Sequence, residues 1–332
     1  MRHSWTRNST KRLGVLASCA TLTLGIAACS GSSSSSSGPT SSSGLEETHL
    51  TVGVLPIADD APLYIAIKKG YFAQEGLTVS PVTLQASTDA LPDMLRGSVD
   101  IMAGANYVSF FQAQAKGVVS LKILADATHC QASSFEVMAL PGSGITSAKS
   151  LDGKTIGVNL TDNVQTLTLN DVLKADGVNP SSVHYTVVPF PDNVAALKAH
   201  RIDAFSGIEP YITAAEKQLG ASSVLSQCTG PTADFPMSGY FSTASWAQKD
   251  PNTAKAFQKA LDKAQAYADG DSQAVRQILP TYTTITPKDA DILTLNTYPA
   301  SVDVTALQQV AALMQQQGLL TKPLNVSSMV LP

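Results

Sequence analysis

Asp59, Asp60 and Tyr64, Ser87 and Thr88, Asn106 and Tyr107, Asn159, Thr161, Asp162 and Asn163, and Glu209 are polar or aromatic residues that follow short apolar runs. Their types suit hydrogen-bonded recognition of a small molecule. Carboxylates and amide oxygens accept, amides and hydroxyls donate, and a Tyr ring offers a flat apolar face. No Lys or Arg occurs in these segments, so an anion would be held only by neutral donors and helix N-termini. Asp59, Asp60, Asp162 and Glu209 would oppose an anion at close range. The set therefore favours a neutral or cationic solute, and carboxylates suit the N–H groups of an aminopyrimidine or another N-heterocycle. Patterns for turnover are missing from the sequence: it has no G-x-S-x-G elbow, no G-x-G-x-x-G and no C-x-x-C, and the five histidines (3, 49, 129, 184 and 200) lack metal-type spacing such as H-E-x-x-H.

The chain has 332 residues, 44% of them hydrophobic, which suits a large bilobal unit or two domains and excludes a mostly disordered protein. Charged residues make up only 14%, with 22 Lys+Arg against 26 Asp+Glu, which argues against a nucleic-acid partner. The N-terminus reads as an export signal: Arg2, Arg7, Lys11 and Arg12 precede an apolar stretch from Leu13 to Ala28. Ile26-Ala27-Ala28-Cys29 resembles a bacterial lipobox, which makes Cys29 the expected acylation site and 1–28 the signal peptide. Residues 29–47, rich in Ser and Gly, read as a flexible tether. Removing the four N-terminal cations leaves 18 cations against 26 acids, a net charge of −8. Cys130 and Cys228 then remain as a pair in an exported protein, the expected disulfide. The loop they close is worth up to about 4–5 kcal/mol by chain entropy. The alternative, a thiol nucleophile at Cys130 beside His129, is the less favoured use.

The loops carrying these polar residues must be held by alternating strands and helices. Strands are expected at Leu50–Leu55, Leu77–Leu84, Val99–Ala103, Leu121–Ala125, Thr155–Val158, His184–Val188, Ile202–Phe205 and Met237–Thr243. Between them, helices are expected at Pro62–Lys69, Asp89–Arg96, Val108–Ala115, Val164–Ala175 and Asn193–Ala199. Longer helices at Thr253–Asp269 and Thr305–Gln316 follow. This α/β alternation implies parallel pairing with right-handed crossovers. Ala90–Tyr107 and Asp192–Tyr211 share one plan, in which Asp100 and Gly104 correspond to Asp203 and Gly207. Two similar halves flanking a cleft would explain it. In open α/β sheets a ligand lies beyond the carboxyl ends of the strands, where the polar loops fall.

Several segments in order resemble a known family: Ala61-Pro62-Leu63-Tyr64-Ile65-Ala66, Gly70-Tyr71-Phe72, Glu75-Gly76-Leu77-Thr78-Val79, Arg96-Gly97-Ser98-Val99-Asp100, Ser150–Val158, Ile202-Asp203-Ala204 and Glu209-Pro210-Tyr211. These are similar to the solute-binding proteins of ABC importers for sulfonate, taurine, nitrate and thiamine-pyrimidine precursors. The resemblance runs from about residue 49 to 316. It implies the type II periplasmic-binding-protein fold, two α/β lobes joined by two crossover strands. Lobe 1 would comprise 48–138 plus 241–332, and lobe 2 would comprise 139–240. It also implies a lipid-anchored monomer on the outer face of the cytoplasmic membrane, which closes on a solute and delivers it to an ABC permease driven by an ATPase subunit, with no cofactor. The alternatives are a same-fold enzyme of the pyrimidine-synthase or menaquinone-pathway type, and an extracellular ligand sensor.

Overall fold

The computed structural model describes residues 44–332. The expected signal peptide, Cys29 and residues 30–43 of the expected tether lie outside the described residues. The last tether residues are held in place. The Glu46 carboxylate accepts hydrogen bonds from the backbone N–H groups of Asn252 and Thr253 at 3.1 and 3.0 Å, and the Glu47 N–H donates to Thr253 Oγ1. A carboxylate there satisfies the free N–H groups of a helix start. Glu46 and Glu47, the last residues of the expected tether, thus belong to the folded body.

The chain begins with β1 (His49–Val54) and a 3-10 turn (Ala58–Asp60) that runs into α1 (Ala61–Lys68), with Pro62 in its first turn. Next come α2 (Tyr71–Gln74), β2 (Thr78–Thr83), α3 (Ala90–Arg96), β3 (Ile101–Asn106), α4 (Tyr107–Ala115) and β4 (Leu121–His129). The chain crosses over and forms β5 (Phe135–Ala139), β6 (Thr155–Val158), α5 (Val164–Ala175), β7 (His184–Val187), α6 (Asn193–Lys198), β8 (Ala204–Ile208), α7 (Tyr211–Leu219) and β9 (Ser222–Ser226). It then returns as β10 (Pro236–Thr243) and closes with α8 (Ala244–Lys249), α9 (Pro251–Gly270), α10 (Ser272–Ile278), α11 (Pro287–Ala290) and α12 (Val304–Gln316).

Two five-stranded sheets result, ordered β2-β1-β3-β10-β4 and β7-β6-β8-β5-β9. The orders are the same once β6, β7 and β8 are matched to β1, β2 and β3. The repeated aspartates do the same job in each: Asp100 Oδ2 accepts from Thr51 N–H at 2.8 Å, and Asp203 Oδ2 accepts from Thr155 N–H at 2.8 Å. Each ties the start of its sheet's central strand to the neighbouring strand.

Pairing is not wholly parallel. β10 runs antiparallel to β3 and β4, and β5 runs antiparallel to β8 and β9. These are the strands that arrive from the other lobe, so they enter their sheets from the opposite end. The lobe limits at 138/139 and 240/241 therefore need correction, because they cut through β5 and β10. β5 belongs whole to the second sheet and β10 whole to the first, so the crossings lie at 130–134 and 227–235. Cys130 and Cys228, on the two crossings, form a disulfide with Cα atoms 5.8 Å apart.

Each sheet is buried on both faces. Leu50, Val52 and Val54 meet Phe257, Leu261 and Ala264 of α9, whose apolar residues recur at helical spacing. In the second lobe one cluster joins Val137 and Ile156 to Leu169 and Leu173, and another joins Phe205 to Ala196 and Ile212. A further cluster spans both lobes, with Leu55, Ile57 and Met102 facing Phe135, Val164, Phe190 and Ile208.

Candidate functional site

The ends of β1 and β3 face those of β6 and β8 across a cleft, and a cavity lies between them. Lobe 1 contributes Leu55, Ile57, Asp59, Ser87, Gly104 and Asn106. Lobe 2 contributes Phe135, Asn159, Asn163, Val164, Gln165, Phe190 and Ile208, and β10 adds Met237 and Ser238. The cavity measures ≈ 30 Å³, counted as the space open to the centre of a water molecule. At roughly 10–15 Å³ for one water, only a few waters fit, so a larger solute enters with some parting of the lobes.

Local chemistry sets each polar wall group. Asn106 caps α4, its Oδ1 accepting from Ser109 N–H at 2.9 Å while its Nδ2 donates to Ser87 Oγ at 3.0 Å. Asn163 caps α5 through Oδ1, and its Nδ2 donates to Gln165 Oε1 at 2.9 Å. Gln165 Oε1 also accepts from Asn159 N–H, and its Nε2 donates to Ser206 O. Asp59 accepts from Thr128 Oγ1, Ser238 Oγ and Asn296 Nδ2, at 2.7, 2.5 and 3.2 Å. Burial pushes its carboxyl above the ordinary range, against the pull of these three donors.

Of the expected residues, Asp59, Ser87, Asn106, Asn159 and Asn163 come together in the cavity wall. The others stand elsewhere. Asp60 is buried behind the wall and accepts from Leu55 N–H at 2.7 Å. Tyr64 stacks on Tyr282 with ring centroids 3.9 Å apart, on the lobe 1 side. Tyr107, the first residue of α4, turns into the core, where its hydroxyl donates to Asp126 and its ring packs near Phe111 and Phe241. Thr161 and Asp162 are exposed at the lip, Thr88 is half-buried, and none of the three lines the cavity. Three of the four acids on which the cationic or N-heterocyclic preference rested are thus outside the wall, and only Asp59 faces the solute space.

The lobes touch across the cleft through directed hydrogen bonds. Asn159 Nδ2 donates to Gln85 O at 3.1 Å, Gln112 Nε2 to Asp162 O at 2.6 Å, Tyr211 Oη to Pro56 O at 2.9 Å and Ala58 N–H to Glu209 O at 3.1 Å. This is a closed cleft. The Glu209 carboxylate stands at the same seam, accepting from Thr213 N–H and Oγ1 and from Thr294 N–H of the other lobe. Burial raises its carboxyl from 4.5 to about 7. A raised folded-state value favours the protonated form. Its stabilisation is complete below about pH 4.5 and is lost as pH rises through about 7. We expect Glu209→Gln to remove a fall on the order of 3 kcal/mol across that window, read by urea unfolding at several pH values. Parallel pH profiles for wild type and variant would contradict this.

Gln165, Ser238, Phe135, Phe190 and Met237 are wall residues outside the set expected from sequence. Phe135 and Ser238 lie at the N-terminal ends of the antiparallel strands, which reach the cleft in the opposite sense to the rule for parallel sheets. The available signal was the pair of apolar segments flanking Cys130 and Cys228.

The NMT1/THI5 like family matches residues 58–274. The nitrate/nitrite binding protein NrtA of Nostoc sp. (strain PCC 7120 / SAG 25.82 / UTEX 2576) is 28% identical over 247 residues, covering 68% of this chain and 55% of that protein. The chain thus spans about half the length of this relative. Among solved structures, the periplasmic nitrate-binding protein NrtA from Synechocystis PCC 6803 superposes with a TM-score of 0.74 at 17% identity, covering 86% of each chain. The alkanesulfonate-binding protein SsuA from Xanthomonas axonopodis pv. citri, bound to MOPS, gives 0.73 at 18% identity, covering 86% of this chain and 99% of the other. These likenesses show the periplasmic-binding-protein fold, two α/β lobes with a cleft between them. The chain belongs to the NMT1/THI5-like family.

Proposed function

We propose that this protein is the extracytoplasmic solute-binding component of an ABC importer. It closes its two lobes on a small solute and presents it to a permease served by an ATPase subunit. The observation that carries this reading is the closed cleft, in which Asn159 both lines the cavity and hydrogen-bonds the opposite lobe. Hinge closure around a ligand is a recurrent switching motion. The relatives named above are binding proteins, which favours this reading over an enzyme of the same fold. The signal-like N-terminus and the lipobox-like segment ending at Cys29 support export and a lipid anchor at that residue. Mass spectrometry of the membrane fraction should find an N-terminal diacylglyceryl Cys29, and an unmodified Cys29 there would overturn the anchor.

The solute we favour is a small planar N-heterocycle. Phe135 and Phe190 offer apolar walls, the amides of Asn106, Asn159, Asn163 and Gln165 can read ring nitrogens and N–H groups, and no Lys or Arg lines the cavity. A nitrate-type anion is the second reading. It is favoured by the start of α4 and α5 at the wall, because helix N-termini bind anions unaided, and by the names of the relatives. A thermal-shift panel of 4-amino-2-methylpyrimidine, nitrate, taurine and methanesulfonate on the full chain tests it. A true ligand at ~100 times its Kd adds about 2.7 kcal/mol, a shift of roughly 5–10 °C. A shift from the pyrimidine alone supports the heterocycle. A shift from nitrate or a sulfonate replaces it with an anion. No shift from any probe contradicts the proposed solute class.

A further inference from the structure

Asp59 and Asp60 place two buried carboxyls side by side, and among the described residues no Lys, Arg or His is bonded to either. Asp59 is satisfied by its three donors. Asp60 is not. One of its oxygens accepts the Leu55 N–H, while Oδ1 has no hydrogen-bond partner. That bare oxygen fills the space where a side chain on residue 104 would stand: a Cβ built on Gly104 would lie 2.6 Å from it. Gly104 is itself part of the cavity wall, so the unpartnered oxygen stands one glycine behind the solute space.

The titratable groups facing Asp60 are phenols and one acid. They are Tyr64 of α1, Tyr240 of β10, and Tyr282 and Tyr298 of the C-terminal half, with Asp59 beside Asp60 on the same turn. Tyr282 and Tyr298 donate to the carbonyls of Ile57 and Ala58 and so fix that turn. Beyond Tyr298 are Asp269, which accepts its N–H, and Arg276, which donates to the carbonyls of Ala290 and Leu293 rather than to either aspartate.

A buried carboxylate with an unpartnered oxygen is costly, and a neutral carboxyl is much less so. Burial pushes the Asp60 carboxyl well above its ordinary range. The Leu55 N–H opposes this and the neighbouring charge of Asp59 reinforces it.

We propose that Asp60 is held as a neutral carboxyl behind Gly104 and sets the pH range of capture, the cleft accepting an uncharged or monoanionic solute only while the Asp59–Asp60 pair carries a single charge. This rests on the reading that the cleft captures such a solute. Once ionised, Asp60 places a second charge one glycine from the solute, where it repels an anion. Being unsolvated, it also draws water into the wall beside any solute. Asp60 is thus a positioning residue, acting through the backbone of Leu55 and Gly104.

The test titrates the full chain with 4-amino-2-methylpyrimidine and with nitrate over roughly pH 5 to 9, in wild type and Asp60→Asn. For whichever probe binds, wild-type affinity should fall on the alkaline side, by up to about tenfold per pH unit for one linked proton, while Asp60→Asn varies less than about twofold. A flat wild-type profile, or a variant that follows the wild type, overturns the proposal. If neither probe binds, the proposed solute class has failed and Asp60 is judged separately. Infrared spectra of the wild type at neutral pH should then show a protonated-carboxyl band that Asp60→Asn lacks. The absence of that band in the wild type overturns the proposal.

Discussion

Replacing Cys130 and Cys228 together by alanine is expected to lower the melting temperature by roughly 9–19 °C. The disulfide closes a loop with a sequence separation of 98. By chain entropy such a loop contributes about 4.7 kcal/mol, and a body of this size loses roughly 2–4 °C per kcal/mol. Position adds to the argument. Cys130 leaves β4 and Cys228 leaves β9, so the bond ties the two crossings into one strap beside the cleft. Both sulfurs are buried in the cluster that spans the lobes. Differential scanning calorimetry of the double variant checks this. A change under about 3 °C would show that the strap contributes far less than its loop length implies.

Asp59→Ala is expected to cost about 3–5 kcal/mol and to abolish solute capture. The variant removes the shared acceptor: the hydroxyls of Thr128 and Ser238, 3.0 Å apart, can bond each other, but one of them and the amide of Asn296 are left as buried donors without an acceptor. Removing the acceptor of a buried, charge-assisted set exposes the full desolvation penalty of its donors. Asp59→Asn keeps one carbonyl acceptor, and both hydroxyls can turn to accept from the new amide. It should cost nearer 1 kcal/mol. Urea unfolding of both variants makes the comparison. Equal losses for the two would mean that bulk, not hydrogen bonding, explains the position.

Much of the fold was legible because its signals are local. β6 and α5 were readable residue for residue, since Asn163 caps an apolar helical repeat and β6 is a short apolar run. The Asp100/Asp203 correspondence pointed to two like halves, and the matched sheet orders carry it through. Of the two crossing strands, β10 was legible as a strand at Met237–Thr243, but its crossing between lobes was not, because a strand that enters from the other lobe has the same composition as any buried strand. β5, and with it Phe135, has no counterpart among the expected strands.

The site divides in the same way. Asn106 and Asn163 were legible as caps at strand–helix junctions. Tyr107 was misplaced because its direction depends on Gly239 far along the chain. A Cβ there would stand 2.5 Å from the Tyr107 hydroxyl, so only a glycine in β10 leaves room for the ring. Asp59 and Asp60 are adjacent in sequence, yet one 3-10 turn sends the first to the cavity and the second behind it. Tyr64 was expected near the solute, but its partner Tyr282 is set by packing across more than two hundred residues.

The central claim is that the cleft between the lobes captures a solute. Calorimetric titration of the full chain with the four probes, in wild type and Asn159→Ala, tests it most directly. Asn159 lines the cavity and holds the opposite lobe, and its side chain adds one hydrogen bond to Gln85 O. One probe should bind the wild type at one site per chain, and Asn159→Ala should weaken it at least about tenfold, or roughly 1.4 kcal/mol. Binding that Asn159→Ala leaves untouched, or no binding by any probe, would contradict capture in this cleft.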